Sequence, residues 1–401
     1  MPNAYTSTGS STLGGTVGGA GLVQKAYDRL LEFALRSEPL IRSVADKRPA
    51  RQAFPGQTVV LQKYVDLDQA TSTLTETTDP DAVALSTPNT VTITLNEYGN
   101  AVLVTRALEL FSLADVDPAI ANIIAYNLAD SIDTVAMTTL RSGSNNIFAG
   151  NATAVANVDA ADTIDSADIR RAVAKLRANK AKARRGSLYW TGIHPEVSHD
   201  LRAESGNLGW NFVHAQSNPA VNNIWAGEIG EYEGAFFVES PRLYNAKTGA
   251  DQTPLATTAV TVAGTSGGFT VGVASSAVVA TRAEVGDKIT ATGMGADAKI
   301  TSIASSGNNV IFTVDVANTG PVQATTASVQ VTPVTRVFNT IVCGAQAMAE
   351  AVAEEPRVVI GNVTDKLMRF RPMGWYGVLG FAVYRDEALF RITSGSSIAA
   401  L

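Results

Sequence analysis

Apolar residues recur with helical spacing along residues 115–141, which predicts the longest helix of the chain. Isoleucine, leucine and valine side chains return every three or four positions and form one apolar stripe. Asp115 or Asp117 can cap its start, and Pro118 fits the first turn, where its missing N–H costs nothing. Gly143 follows its end. At 1.5 Å per residue the helix would be about 40 Å long, enough to form the backbone of a domain.

The same criterion predicts shorter helices over residues 21–37, 165–185 and 195–202, and an alanine-rich stretch favours another over 346–354. The apolar segment 374–392 is interrupted by Arg-Asp-Glu, which predicts two strands joined by a turn. The first twenty residues are rich in glycine, serine and threonine and predict a flexible arm.

Two runs with strand periodicity, Thr58–Val65 and Thr90–Tyr98, enclose a loop rich in threonine, aspartate, proline and serine. Residues 57–98 therefore predict a long two-stranded tongue. Acidic side chains outnumber lysine between residues 57 and 96, where Lys63 stands against Asp66, Asp68, Glu76, Asp79 and Asp81. An isolated two-stranded ribbon is barely stable in water, so the tongue is expected to lie on another part of the protein.

The composition changes abruptly over residues 245–333. Charged residues become sparse, and the aromatic residues are limited to Phe269 and Phe312. Short runs of valine, threonine and isoleucine alternate with glycine, serine and asparagine, which predicts strands over 259–262, 269–273, 288–291, 299–303, 310–314 and 327–331. We expect a small all-β sandwich or barrel, inserted into the middle of another domain.

Composition excludes several classes of protein. Of the 401 residues, 45% are hydrophobic and 17% are charged, and the net charge is −6. No apolar run approaches the roughly 20 residues of a membrane span. The single cysteine, Cys343, excludes a disulfide scaffold, and the negative charge argues against a chain that grips nucleic acid. The N-terminus lacks the basic and apolar parts of a secretory signal, which predicts synthesis in a reducing cytoplasm.

No catalytic or metal-binding pattern is evident. His194 and His199 are five residues apart, which does not place them on one helix face as an i, i+4 spacing would. Phosphate-binding loops and nucleophile elbows are missing from the sequence. We therefore expect no catalytic residue, no metal and no cofactor, and a protein that is not an enzyme.

The sharpest charge feature is the basic helix predicted over 165–185. It carries Arg170, Arg171, Lys175 and Arg177, and the basic run continues to its end. One interpretation is a solvated helix face. A second is an electrostatic contact with an acidic surface of a neighbouring subunit, for which the tongue is a candidate, and a third is nucleic acid. Exposed ion pairs contribute only about 0–1 kcal/mol each to stability. Such contacts would therefore modulate assembly but would not supply most of its free energy.

An arm, a projecting tongue, a long helix and no active site are typical of a structural protein that forms polymers. The order of these elements resembles the HK97-fold major capsid proteins of tailed bacteriophages. Local patterns are similar to the N4-like major capsid proteins within that group. They are Phe54-Pro55-Gly56 before the tongue, Asn96-Glu97-Tyr98-Gly99 after it, LYWTGIHP at 188–195 and GEIGEYEGAFFVES at 227–240.

The resemblance implies an α+β, HK97-like capsid fold. Its parts would be a flexible N-terminal arm at 1–20, a helix and connector at 21–56, an extended E-loop at 57–98, a peripheral domain at 99–164 with the spine helix 115–141, an axial domain at 165–244 and 334–365 around the inserted β domain 245–333, and a peripheral return hairpin with the C-terminus at 366–401.

The resemblance also implies self-assembly into hexamers and pentamers of an icosahedral virion shell that encloses double-stranded phage DNA without sequence-specific binding. Portal, scaffolding and decoration proteins are further expected partners, and no membrane is expected. The alternatives are an encapsulin-type nanocompartment shell and a β-rich surface or adhesion protein. Candidate intersubunit contacts are Lys63, Asp66, Asp68, Glu76, Asp79, Asp81, Arg170, Arg171, Lys175 and Arg177.

Overall fold

The computed structural model describes residues 37–49, 58–106, 116–204, 228–323, 327–361 and 369–398, except for scattered positions between 68 and 86. The predicted arm and the helix predicted over 21–37 therefore lie outside the described residues, apart from the last position of that helix. The chain divides into two compact units. Among the described residues, the small unit comprises Tyr98–Ala129 and Pro356–Gly377, and the large unit comprises Ser37–Glu97, Asp130–Glu355 and the chain from Val378 onward.

The helices are α1 Val116–Arg141, α2 Ser166–Ala178, α3 Pro195–Ala203 and α4 Val278–Arg282, with 3-10 turns at Ile41–Val44, Val155–Asn157 and Asp386–Ala388. The strands are β1 Asp46–Pro49, β2 Thr58–Lys63, β3 Asn89–Thr94, β4 Asn96–Thr105, β5 Asn146–Phe148, β6 Tyr189–Ile193, β7 Glu228–Tyr232, β8 Ala235–Glu239, β9 Asn245–Asp251, β10 Thr258–Val262, β11 Thr270–Ala274, β12 Lys288–Thr290, β13 Ile300–Ser306, β14 Asn309–Val314, β15 Ser328–Thr332, β16 Val334–Cys343, β17 Met348–Ile360, β18 Phe370–Val383 and β19 Leu389–Ser394.

The core of the large unit is built around β16. This strand is buried along nearly its whole length and lies inside a seven-stranded sheet in the order β5-β19-β16-β6-β8-β7, with β9 also paired to β16. Helix α2 buries Ile169, Val173 and Leu176 in the same core cluster as Phe338 of β16. The stripe predicted for this helix is thus confirmed, and it explains why the helix lies where it does.

Helix α2 is shorter than the sequence predicts. It ends at Ala178 rather than at 185, because Lys180 adopts a left-handed φ of 55° and the Ala181 N–H bonds to the Leu176 carbonyl instead of continuing the helix. The basic residues that follow are therefore not on the helix face that the sequence predicted.

The small unit buries one face of β4 and of the returning strand β18 under the first half of α1. Val104, Ile124, Met373 and Trp375 form its core, and the indole Nε1 of Trp375 donates to Asn127 Oδ1 at 2.8 Å. The predicted long helix is confirmed at Val116–Arg141.

All six strands predicted between 259 and 331 have a counterpart in the structure, as β10 to β15. They form a sheet in the order β12-β15-β10-β11-β14-β13 around a separate cluster that includes Phe312, Val273 and Val329. The two strands at the ends of this order, β12 and β13, are also connected where each begins. Ile289 N–H donates to Ala298 O at 2.8 Å, and Ile300 N–H donates to Asp287 O at 3.0 Å. These bonds close the sheet towards a barrel.

The barrel is joined to the seven-stranded sheet by strands and by a buried ion pair. The sequence placed residues 245–251 in the inserted β region, but they form β9, which pairs with β16. Lys247 of β9 donates to the fully buried Asp287 of the barrel, at 2.6 Å between Nζ and Oδ1. The same carboxylate oxygen accepts the Val334 N–H at 3.1 Å, where β16 begins.

In the C-terminal third, the predicted helix over 346–354 is wrong, and the strands and turn predicted over 374–392 are present but not as a hairpin. Of the residues predicted to be helical, 348–354 belong to strand β17, Met348–Ile360, and 346 and 347 lie in the turn before it. The segment 374–392 contains two strands and a turn, yet the strands do not pair as a hairpin. Instead β18 lies between β17 and β4, whereas β19 pairs with β16 and β5. Pairing partners across hundreds of residues override local propensity in both places.

Arg42 fixes the segment that leads into β1. Its Nε and Nη2 lie 2.8 and 2.6 Å from Glu350 Oε1, and its backbone N–H donates to Asp133 Oδ1 at 2.9 Å. Glu350 is fully buried, and Arg42 Nη2 also reaches Glu355 Oε2 at 3.1 Å. The guanidinium therefore neutralises a carboxylate that water cannot reach.

His194 caps helix α3. Its Nδ1 accepts the Glu196 N–H at 3.3 Å, and its ring centroid lies 4.9 Å from that of Phe338. Burial, together with the charge of Arg336, lowers the pKa of His194 to about 4, although a hydrogen bond to Pro241 opposes the shift. The histidine is thus a neutral residue that caps helix α3.

We predict that Arg42→Met destabilises the folded protein by about 3–5 kcal/mol, because it leaves the buried Glu350 carboxyl without its ionic partner. Lys47→Met is the matched control. Lys47 Nζ lies 3.5 Å from Glu355 and its side chain is 63% exposed, so its loss should change stability by about 0–1 kcal/mol. Urea unfolding of both variants measures the difference. Equal, small effects would contradict the role of Arg42.

We predict that His194 makes the subunit less stable in acid. Because the pKa is about 4 when folded and 6.5 in the reference state, the unfolded chain binds the proton first as the pH falls. The contribution is fully present above pH 6.5 and is lost between pH 6.5 and 4, by roughly 2–3 kcal/mol at pH 4.5. His194→Asn keeps a capping side chain and should remove this part of the pH dependence. Identical pH profiles of unfolding in the two proteins would be evidence against it.

Candidate subunit interface

The base of the tongue is an antiparallel ribbon that covers its own subunit. Strands β2 and β3 pair from Thr58↔Thr94 to Lys63↔Asn89, which confirms the predicted two-stranded form. The ribbon turns one face inward, so that Ile93 is fully buried while Val59 and Leu61 are half-buried. These side chains pack on alanines of β17.

Small residues in β17 and β18 let the ribbon approach the sheet. Ala349, Ala351 and Ala353 alternate along β17 and share the cluster with Ile93. At Gly380 of β18 a Cβ atom would collide with the Thr94 carbonyl oxygen, so only glycine fits there. The alternation of alanines with period two was the sequence signal for a strand at this position.

Beyond its base, the tongue leaves apolar side chains in solvent. Every described residue from 64 to 87 is exposed. Leu74 and Val83 are each 77% exposed and Leu85 is 72% exposed, and the ribbon and its extension add Val60, Tyr64, Val65 and Leu67. A soluble monomer rarely carries so many exposed apolar side chains on one short segment, so the segment marks an interaction surface.

The acidic residues of the tongue that the structure describes are left without an ionic partner among the other described residues. Asp66, Glu76 and Asp79 are exposed, and none forms an ion pair with the residues that the structure describes. Asp68 and Asp81 lie outside those residues. Lys63 is different, because its Nζ lies 2.7 Å from Glu387 Oε1 and is therefore occupied within the chain. That partner stands 324 residues away and had no signal in the sequence.

The four predicted basic contacts of α2 divide into two pairs. Arg170 Nε lies 3.9 Å from Glu233 Oε1, and Arg171 Nη2 lies 3.5 Å from Asp168 Oδ1, so both have acidic neighbours in the subunit. Lys175 is exposed with its Nζ 5.9 Å from the Phe390 ring centroid, and the guanidinium of Arg177 lies against Gly234. Within the described residues, no ion pair joins α2 to the tongue.

The described residues contain neither a metal-binding cluster nor an exposed thiol. No group of three or more histidine, cysteine, aspartate or glutamate residues there could hold a metal ion. Burial raises the pKa of the Cys343 thiol to about 12, so the thiolate is not accessible at neutral pH. Among the described helices, none combines the length and apolarity needed to cross a bilayer.

The fold is shared with solved phage capsids. The capsid of cyanophage P-SCSP1u is 12% identical, with 94% of each chain covered and a TM-score of 0.57. The capsid of cyanophage Pam1 is 13% identical over 94% of this chain and 97% of that chain, with a TM-score of 0.57. The capsid of Helicobacter pylori bacteriophage KHP30 is 12% identical over 95% and 97%, with the same TM-score of 0.57.

A family profile described as phage capsid protein matches residues 39–398, which is most of the chain. A search of curated proteins gives no match. The expected α+β, HK97-like capsid fold and the structural rather than catalytic nature of the protein are thereby confirmed, and the nanocompartment and adhesion alternatives are not favoured. The protein is a component of a virion shell built from capsid subunits. The chain belongs to the phage capsid protein family.

Proposed function

We propose that this major capsid protein assembles into hexamers and pentamers of an icosahedral shell, in which the tongue of each copy lies on the next. The observation that carries the proposal is the uncovered apolar surface of residues 60–85. Burying one large apolar side chain against a partner contributes about 1.5–3 kcal/mol. Contacts of this size, repeated around a closed ring of subunits, favour assembly over the free subunit.

We assign the tongue, 57–98, as the E-loop and α1 as the spine helix. We also infer that the barrel formed by β10 to β15 is a separate inserted module. Its own core cluster supports this reading, and β9, β16 and the Lys247–Asp287 pair would hold it to the axial part of the subunit. In this assignment the inserted domain begins after β9 rather than at residue 245.

The shell would enclose double-stranded phage DNA without reading its sequence. The net charge of −6 supports this, because strong phosphate binding on the inner wall would hinder packaging and release. Portal, scaffolding and decoration proteins are the further partners that such a shell would use. Synthesis in the cytoplasm of the bacterial host would precede assembly.

We predict that replacing residues 64–88 by Asn-Gly leaves the subunit folded but prevents closed shells. Lys63 and Asn89 are paired in the ribbon, so a two-residue type I′ turn can join them and keep the buried base intact. Circular dichroism of the subunit tests folding, and electron microscopy tests assembly. Normal shells from this variant would show that the tongue is not an assembly element.

We predict that the triple variant Leu74→Ser, Val83→Ser and Leu85→Ser weakens assembly without weakening the subunit. These side chains are solvated in the free chain, so its unfolding free energy should change by no more than about 0.5 kcal/mol per site. The critical concentration for assembly should rise at least about tenfold, which corresponds to 1.4 kcal/mol. Val155→Ser, at a 39% exposed site outside the tongue, is the control. Equal critical concentrations for the triple variant and wild type would refute the tongue contact.

A further inference from the structure

A cavity of about 330 Å³ opens beside the C-terminal half of α1. Helix α1 contributes Thr134, Thr138 and Arg141 to its wall, and the segment before β9 contributes Tyr244 and the neighbouring residues. Arg242 and Asp133 also line it, but these two are paired, with Arg242 Nε 3.0 Å from Asp133 Oδ2. The cavity therefore carries the charge of Arg141 without a matching acid in its wall.

Arg141 is joined by a second arginine, Arg391. The guanidinium of Arg141 stacks on the Tyr244 ring, and its buried Nε has no hydrogen-bond partner. Arg391 Nη1 donates to the Arg141 carbonyl at 2.6 Å, and its Nε donates to Asn146 Oδ1 at 3.4 Å. Among the described residues, no carboxylate lies within ion-pair distance of either guanidinium, although both side chains are half-buried.

This arrangement is electrostatically unfavourable in the free subunit. Burial and the charge of Arg141 both lower the pKa of Arg391, whereas the nearby Tyr244 opposes them only partly. Arg391 has a structural role, because it caps the last carbonyl of α1. The capping role of Arg391 does not explain why an arginine stands at position 141, where the side chain forms part of the cavity wall. Two other half-buried arginines of the large unit, Arg42 and Arg242, each have carboxylate partners.

A negatively charged oxygen group would neutralise Arg141. The tongue carries carboxylates that form no ion pair with the described residues. A guanidinium group binds a carboxylate through two parallel N–H···O bonds, which suits Arg141 in the cavity wall. Asp66, Glu76 and Asp79 are exposed and have no ionic partner among the described residues. A DNA backbone, by contrast, would need a row of cations rather than a single cavity.

We propose that Arg141, with the positive charge of Arg391 beside it, is a carboxylate-binding site that receives an acidic side chain from the tongue of a neighbouring copy. The inference rests on the proposed shell assembly and adds the residues on the receiving side. In this proposal Arg141, rather than the basic residues of α2, binds the acidic side chains of the tongue. Lys175 of α2 is exposed to solvent and needs no partner.

The test compares DNA-free shells of the full-length protein. Arg141→Gln should raise the critical concentration for assembly at least about tenfold at low salt, whereas Arg141→Lys should lose less. Lys182→Gln is the matched control, because it removes one positive charge from an exposed site and should leave assembly unchanged. An equal effect of Lys182→Gln and Arg141→Gln, or no effect of either, would overturn the site.

A double-mutant cycle identifies the donor. The tongue variant Asp66→Asn, Glu76→Gln and Asp79→Asn changes only exposed side chains and should weaken assembly as much as Arg141→Gln does. Combined with Arg141→Gln or Arg141→Lys, it should add little further loss, because both changes break the same contact. Fully additive losses, or an Arg141 effect confined to DNA-filled shells, would overturn the proposal. If wild-type protein forms no shells, the proposed function itself fails.

Discussion

A two-stranded ribbon can bury only one of its faces on its own subunit, and the tongue of this capsid protein is built on that constraint. At its base the inner face is covered, with Ile93 fully buried against the alanines of β17. Further out no other part of the described subunit reaches the apolar side chains, and Leu74, Val83 and Leu85 remain in solvent. Within the described residues, the apolar surface of the tongue therefore has no cover, which is typical of a surface that binds another molecule.

The rest of the large unit holds the base of the tongue in place. The alternating alanines and Gly380 make a surface that is flat enough for the ribbon. On the other side of β17, the buried Glu350 accepts Arg42 and so fixes the chain that enters β1. Strand β16 then links this region to the barrel, whose Asp287 binds Lys247 of β9. Buried ion pairs of this kind contribute more to a defined geometry than to net stability.

Much of this fold was accessible from the sequence because local patterns dominate in some elements. The stripe and cap of α1, the six barrel strands and the two-stranded ribbon all follow from periodicity and turn residues. The predictions are wrong where pairing with strands distant in sequence determines the secondary structure or the sheet. The alanine-rich segment 346–354 has helical propensity but is held as a strand, and 374–392 sends its two strands into different sheets. The tongue and its acids were found, whereas the Arg141–Arg391 pair, 250 residues apart, had no signal in the chain.

The proposed assembly requires that the tongue segment, whose described residues between 64 and 87 are all exposed, becomes covered in the shell. Hydrogen–deuterium exchange of this segment, measured on dissociated subunits and on assembled, DNA-free shells, tests that requirement directly. We expect rapid exchange along the segment in the free subunit and strong protection in the shell, with the base strands β2 and β3 protected in both. Equally rapid exchange in the two states would contradict the account.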